Sequence, residues 1–309
     1  MKHLSRIWQF FVAGMLLIAV GPPLAHAGVS ERTVLLDGLE RSYLLYTPDR
    51  MPSGPRPLVL VLHGGGGTHM GLLRQTKGAW NQLADRHGFI VAYPNADRKI
   101  WDFSEGLVST NRRRRVNDLA FFERVITEVT GAYPIDHQRI FAAGISRGGQ
   151  AAWFLACKLP GRFRAIAVIS MPLPAFLLDD CQSAPPTGVV LMNGTADPLV
   201  PYDGGQIRVF RRNRGAVLST DQTITFWRQR NGCDREPDVR TVIDRPGDET
   251  TTYRTDWTKC VGAPVTLYRI EGGGHSWPNG RSRLRERLVG PFTRDIDGAV
   301  AGWAFFSQF

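Results

Sequence analysis

RIFAAGISRGGQAA, residues 139–152, decides how the rest of the chain is read. An apolar run over 139–143 stops at Gly144, a serine stands between glycines in Gly144-Ile145-Ser146-Arg147-Gly148, and an amphipathic run follows to about residue 159. Strand, sharp turn and helix form the setting in which Gly-x-Ser-x-Gly presents a serine hydroxyl as a nucleophile. With 33 glycines in 309 residues, the five-residue match arises by composition alone roughly 0.15 times, so the setting carries the reading. Such a turn strains the serine, and side chains two positions to either side would strike backbone; Gly144 and Gly148 remove them. The helix starting at Arg147 aims its N-terminal amides at charge developing on Ser146.

Outward from this turn, apolar runs of strand length alternate with helical periodicity, the pattern of βαβ units. Strands are predicted over 33–36 and 42–46, joined at Asp37-Gly38, and over 58–62, 89–92, 139–143, 165–169, 189–192 and 265–270. Helices are predicted over 71–86, 119–129, 147–159 and 296–306, the second capped by Asn117-Asp118. The fold class is α/β: a doubly wound, mostly parallel sheet with helices on both faces. The connection over 93–116 carries Trp101, Asp102 and the run Arg112 to Arg115, and loops of that length are usually functional. No repeat or linker interrupts the chain, so one domain is expected over 28–309.

Residues 1–27 read as a signal peptide: Lys2 and Arg6, an apolar run over 10–20 too short to span a bilayer, then Ala25-His26-Ala27. No later stretch is apolar enough to cross a membrane. The expectation is a secreted protein, extracellular or periplasmic, with no membrane attachment after the signal is removed. Cys157, Cys181, Cys233 and Cys260 all follow the signal, where an oxidising compartment favours pairing. Four cysteines allow three connectivities; loop locality favours Cys157 with Cys181 and Cys233 with Cys260. They are too scattered for zinc-ligand spacing, and no metal or cofactor is expected. The formal charge of +10 concentrates in Arg112 to Arg115 and in Arg208, Arg211, Arg212 and Arg214. These runs lack the spaced aromatics of a nucleic-acid platform and read as solvated loops. A monomer acting on a small or oligomeric substrate is expected.

A serine hydroxyl is a weak nucleophile until a base takes its proton. On doubly wound sheets with such a turn the acid follows the serine and the histidine follows the acid. Only His275 follows Ser146, in EGGGHSWPNG just past the strand over 265–270. Of ten aspartates between them, Asp197 comes directly after the strand over 189–192, in NGTADPLVPYDGG, where loops gather at the carboxyl edge; Asp203 is its nearest rival. An oxyanion needs amide donors. One is the amide of Arg147; the other is assigned to Gly65, with Gly64 and Gly66 beside it in His63-Gly64-Gly65-Gly66-Gly67. No Gly-Lys-Ser/Thr follows these glycines, which argues against a phosphate loop. Trp101, Trp277 and Tyr202, with Trp80, are candidates to line an apolar substrate pocket.

Taken together, RSYLLYTP, VLHGGGG, VNDLAFF, GISRGG, NGTADPLVPYDGG, WRQRNGC and EGGGHSWPNG resemble the secreted α/β-hydrolase esterases that group polyhydroxybutyrate depolymerases with feruloyl and acetyl-xylan esterases. The resemblance spans about residues 40–280. It implies a serine carboxylic ester hydrolase with the triad Ser146, Asp197 and His275, and it implies the same two cysteine pairs. Asn117-Asp118 departs from the two aspartates usual in that family. No polymer-binding module is attached, which favours soluble aryl, hydroxyalkanoate or acetylated-sugar esters over an insoluble polymer. A hydroxybutyrate depolymerase, a serine peptidase and a non-catalytic surface binder are the rival readings.

Overall fold

The computed structural model describes residues 28–51, 53–103, 116–209, 212–282 and 284–309. Residues 1–27, read above as a signal peptide, the run Arg112 to Arg115 and Arg211 lie outside them. A first hairpin, β1 (Gly28–Leu36) and β2 (Leu39–Thr47), turns through left-handed Asp37 and Gly38. The sheet continues with β3 (Arg56–Leu62), β4 (Ile90–Pro94), β5 (Ile135–Ile145), β6 (Ala165–Ile169) and β7 (Gly188–Gly194). A separate two-stranded hairpin follows, β8 (Gly205–Val209) with β9 (Arg212–Val217); β10 (Val239–Ile243), β11 (Thr251–Trp257) and β12 (Val265–Glu271) return to the main sheet.

The main sheet runs β1-β2-β4-β3-β5-β6-β7-β12-β11-β10. From β4 to β12 every neighbouring pair is parallel, and antiparallel strands flank this block on both sides. Parallel strands are buried on both faces and read as unbroken apolar runs. In β3 all seven residues are buried, and they divide by parity: Leu58, Leu60 and Leu62 join one core cluster, Val59 and Val61 the other. Successive side chains of a strand point to opposite faces, so the sheet is covered on both.

On the first face lie α3 (Asp118–Ala132), α4 (Arg147–Lys158), α5 (Leu178–Ser183) and α6 (Thr220–Arg230), through Phe121, Trp153, Cys181 and Trp227. On the second lie α1 (His69–Gln75), α2 (Ala79–His87) and the C-terminal α8 (Gly298–Phe306), through Leu72, Trp80 and Phe306. The short α7 (Glu286–Val289) precedes α8. The single helix predicted over 71–86 is two helices, because Lys77 and Gly78 take left-handed backbone with φ of 54° and 69°. The disulfides Cys157–Cys181 and Cys233–Cys260 form as loop locality favours, the first joining α4 to α5. Among the described residues no helix is long and apolar enough to cross a membrane.

Candidate active site

Ser146 directly follows β5 and stands as N-cap of α4, with φ 56° and ψ −121°. A non-glycine residue there is strained and persists only where surroundings impose it. Two contacts do so: the Ser146 amide donates to Ile169 O at 2.8 Å, and Gln150 N donates back to Ser146 O at 2.8 Å. Its hydroxyl makes no capping bond to the helix. The flanking glycines are obligatory. A Cβ on Gly144 would lie 2.2 Å from Gly148 O, and one on Gly148 would lie 2.1 Å from Leu62 O.

Asp197 and His275 come together although 78 positions separate them. His275 Nδ1 lies 2.7 Å from Asp197 Oδ2, the two side chains being 10% and 2% exposed. Asp197 Oδ1 accepts the amides of Leu199 and Val200 at 2.8 and 2.9 Å. The histidine loop is held from behind, since His275 N donates to Val289 O and Gly274 N to Pro291 O. It is also tied toward the serine: Ser170 Oγ donates to Ser276 O at 3.5 Å, and Ser170 directly follows the residue that accepts the Ser146 amide. Asp203, the rival acid, is exposed and borders a cavity lined with Tyr202, Asp221 and Arg269.

The glycine loop after β3 lies against the serine turn: a Cβ on Gly64 would meet Ser146 Cβ at 3.5 Å, and one on Gly65 would meet Arg147 Cβ at 3.7 Å. Gly66 N is spent on Lys99 O and Gly67 N on Gly64 O, which leaves Gly64 and exposed Gly65 as the loop's donors. His63 sets the loop from beneath. Ala96 N donates to its Nε2 at 3.0 Å, so that nitrogen carries no proton and Nδ1–H donates to Gly64 O at 2.8 Å. Burial holds His63 down to a pKa of about 4, consistent with a neutral ring.

The tryptophans are corrections to the sequence reading. Trp101 and Trp277 are 0% and 2% exposed and pack in the two core clusters instead of facing a ligand. Trp101 lies against His63 with ring centroids 4.8 Å apart, and its Nε1 donates to His63 O at 2.8 Å. Trp277 sits beside the start of α8, where a Cβ on Gly298 would meet its Nε1 at 2.8 Å. Trp80 is buried against Phe306. Tyr202 is half-buried and borders a cavity of about 300 Å³, but a polar one, with Thr195, Asp203, Asp221 and Arg269; its hydroxyl donates to Asp221 Oδ1 at 3.3 Å.

The sequence reading missed Asp118 and the side chain of Arg147. Arg41 Nη2 meets Asp118 Oδ1 at 2.6 Å, both side chains being almost fully buried. Asp118 Oδ2 accepts Asp102 N at 2.5 Å. Burial raises the Asp118 carboxyl above its ordinary value, against the pull of Arg41 and of that amide. Asn117, beside it, caps α3 by accepting Ala120 N at 2.9 Å. The departure from two aspartates therefore keeps a cap and a buried carboxylate. A lone Asp at a helix start gives no sign of a partner 77 positions away.

A strained serine between a strand and a helix with glycine amides beside it, and an aspartate-bound histidine after another strand of the same parallel block, are the kinds of group that acyl transfer uses. Residues 41–200 match the family model described as esterase PHB depolymerase. The chain belongs to that esterase family. It is 31% identical to the putative esterase NocK of Nocardia uniformis subsp. tsuyamanensis over 90% of this chain and 82% of that protein. It is 27% identical to feruloyl esterase C of Emericella nidulans over 82% of this chain and 84% of that protein. Its fold resembles the acetyl xylan esterase from Aspergillus awamori, with a TM-score of 0.58 at 16% identity over 91% of this chain and all of that one. A thermostable esterase gives 0.52 at 20% identity, over 79% of this chain and 55% of that one. The fold is the α/β-hydrolase fold, and the protein is a carboxylic ester hydrolase.

Proposed function

We propose that the protein hydrolyses esters through an acyl-enzyme formed on Ser146, with His275 as base and Asp197 as its orienting acid. The 2.7 Å contact between His275 Nδ1 and Asp197 Oδ2 carries this reading, because it leaves Nε2 to serve the serine. Ser146 Oγ attacks the ester carbonyl while His275 Nε2 takes its proton. The oxyanion is held by the amides of Arg147 and Gly65. His275 returns the proton to the departing alkoxide as the C–O bond breaks; water then adds to the acyl carbon, giving its proton to His275, and the acid leaves as Ser146 recovers its hydrogen.

Soluble aryl, hydroxyalkanoate and acetylated-sugar esters are the proposed substrates, supported by the range of esterases to which the chain is similar. The two disulfides fit an oxidising compartment, which supports export through the signal read in residues 1–27. Ser146→Ala tests the mechanism. It should abolish p-nitrophenyl butyrate hydrolysis while the protein melts as a folded species; retained turnover would overturn the assignment. Comparison of kcat/KM on methyl ferulate, a hydroxybutyrate trimer and acetylated xylan then ranks the substrate classes.

A further inference from the structure

We propose that residues 95–103 act as a strap fixing the spacing between the glycine loop and the nucleophile turn, and that Arg147 and Asp118 are the positioning residues that hold it. The proposal rests on the acyl-transfer reading above. In that reading the two oxyanion donors belong to different segments, one after β3 and one after β5; the pairing of these strands runs to Leu62 and Gly144 and stops short of both donors. Donors must sit within tenths of an ångström of where the oxyanion forms.

The strap touches both segments. Toward the glycine loop, Lys99 O accepts Gly66 N at 2.8 Å, Ala96 N donates to His63 Nε2, and the Trp101 indole donates to His63 O. Toward the nucleophile turn, the guanidinium of Arg147 grips one carbonyl with two donors: Nε and Nη2 reach Trp101 O at 3.0 and 2.7 Å. Trp101 is therefore bonded through its ring to one donor segment and through its carbonyl to the other. Arg147 carries a donor amide and, through its side chain, ties that amide's own turn to the opposite loop. Its Cζ also lies 5.1 Å from the Phe103 ring centre.

Both ends of the strap close on one buried ion pair. Arg41 Nη2 donates to Asn95 O at 3.3 Å and pairs with Asp118, and Asp118 accepts the amide of Asp102. Between these ends the backbone passes through left-handed Arg98 and Lys99, with φ of 48° and 65°. Such residues relax unless their surroundings hold them, and the turn they make delivers Lys99 O to Gly66 N.

Arg147→Met is the primary test, with active sites titrated by a fluorophosphonate. On p-nitrophenyl butyrate the strap predicts a kcat loss on the order of 10- to 100-fold, below the loss from deleting a donor outright, with KM within about twofold. The Ki of a trifluoromethyl ketone, whose adduct carries the oxyanion, should rise by the same factor. Arg147→Lys, one donor in place of a planar fork, should fall between. Asp118→Asn strands a buried guanidinium and risks the fold, so the ends are tested with Arg41→Met combined with Asp118→Leu, which should show the same kcat and Ki signature. Unchanged kcat and Ki per titrated site in Arg147→Met overturn the strap, as does a loss explained by fewer titratable sites. Retained turnover in Ser146→Ala overturns the parent mechanism; a dead Ser146→Ala beside an unaffected Arg147→Met overturns the strap alone.

Discussion

Asp197 divides its two oxygens between two tasks: Oδ2 meets His275 Nδ1 at 2.7 Å while Oδ1 takes the amides of Leu199 and Val200. The loop orients the carboxylate, and the carboxylate orients the imidazole. Asp197→Asn keeps an oxygen for the loop amides and turns an NH₂ donor toward Nδ1. The ring must then accept there and carry its proton on Nε2, where it cannot take one from Ser146. The expected result is a fall in kcat of about 10³- to 10⁴-fold, with the melting temperature nearly unchanged. A loss below tenfold on p-nitrophenyl butyrate would contradict this division of labour.

Two glycine-to-alanine changes should have opposite signs. A Cβ on Gly148 would lie 2.1 Å from Leu62 O and 2.6 Å from Leu62 C, both backbone atoms of a fully buried strand. Relief requires α4 to move off β3, so Gly148→Ala should cost about 3 kcal/mol or more and displace the serine turn enough to abolish activity. Gly131, in the last turn of α3, has nothing within 4 Å of the position a Cβ would take. Gly131→Ala should stabilise by about 0.5–1 kcal/mol through the unfolded chain and leave activity intact. Denaturant unfolding of the pair, with kcat for each, checks both directions.

Each disulfide closes a short loop, with sequence separations of 24 and 27. Loop-closure entropy assigns about 3.5 kcal/mol to a crosslink of that span. Cys157→Ser with Cys181→Ser, and separately Cys233→Ser with Cys260→Ser, should each lower the unfolding free energy by about that amount. Denaturant midpoints measured with and without reductant test it: the quadruple variant should be insensitive to reductant, and the parent should fall to meet it.

The parallel block is legible because burial on both faces leaves unbroken apolar runs; the strand predicted over 165–169 matches β6 to the residue. The hairpin at 33–46 is also legible, but the strands β8 to β11 are not. β10 is exposed along nearly its whole length, and the hairpin of β8 and β9 buries only Ile207 and Val217 among its described residues, so neither writes a hydrophobic period into the sequence. Helix α6, absent from the sequence reading, does carry a signal: Ser219 and Gln222 form a capping box, and buried Thr220, Thr223, Ile224 and Trp227 follow helical spacing. At the site, chain order and strand ends single out Ser146, Asp197 and His275 as candidates, because each follows a parallel strand, and the structure brings Asp197 to His275. Trp101 and Trp277 mislead, since an aromatic ring on a loop reads alike whether it turns out to a ligand or in to the core. The direction is set by partners such as His63 and α8, distant in the chain.

His63 gives the fold a dependence on acid that is separable from catalysis. Burial lowers its pKa from an ordinary 6.5 to about 4, and Ala96 N–H occupies Nε2, where a second proton would have to go. A folded-state pKa below the unfolded value means that the unfolded chain binds the proton more readily. The contribution of neutral His63 is therefore complete above about pH 6.5, declines as pH falls, and is lost by about pH 4. The interval from 6.5 to about 4 corresponds to about 3 kcal/mol. His63→Gln keeps a polar side chain without the titration, so its unfolding free energy should flatten between pH 6.5 and 4 relative to the parent. Identical pH slopes for the two proteins would show that His63 is not the group responsible. Because the ring also fixes Gly64 O, His63→Gln should lower kcat at neutral pH, where its stability is no longer changing.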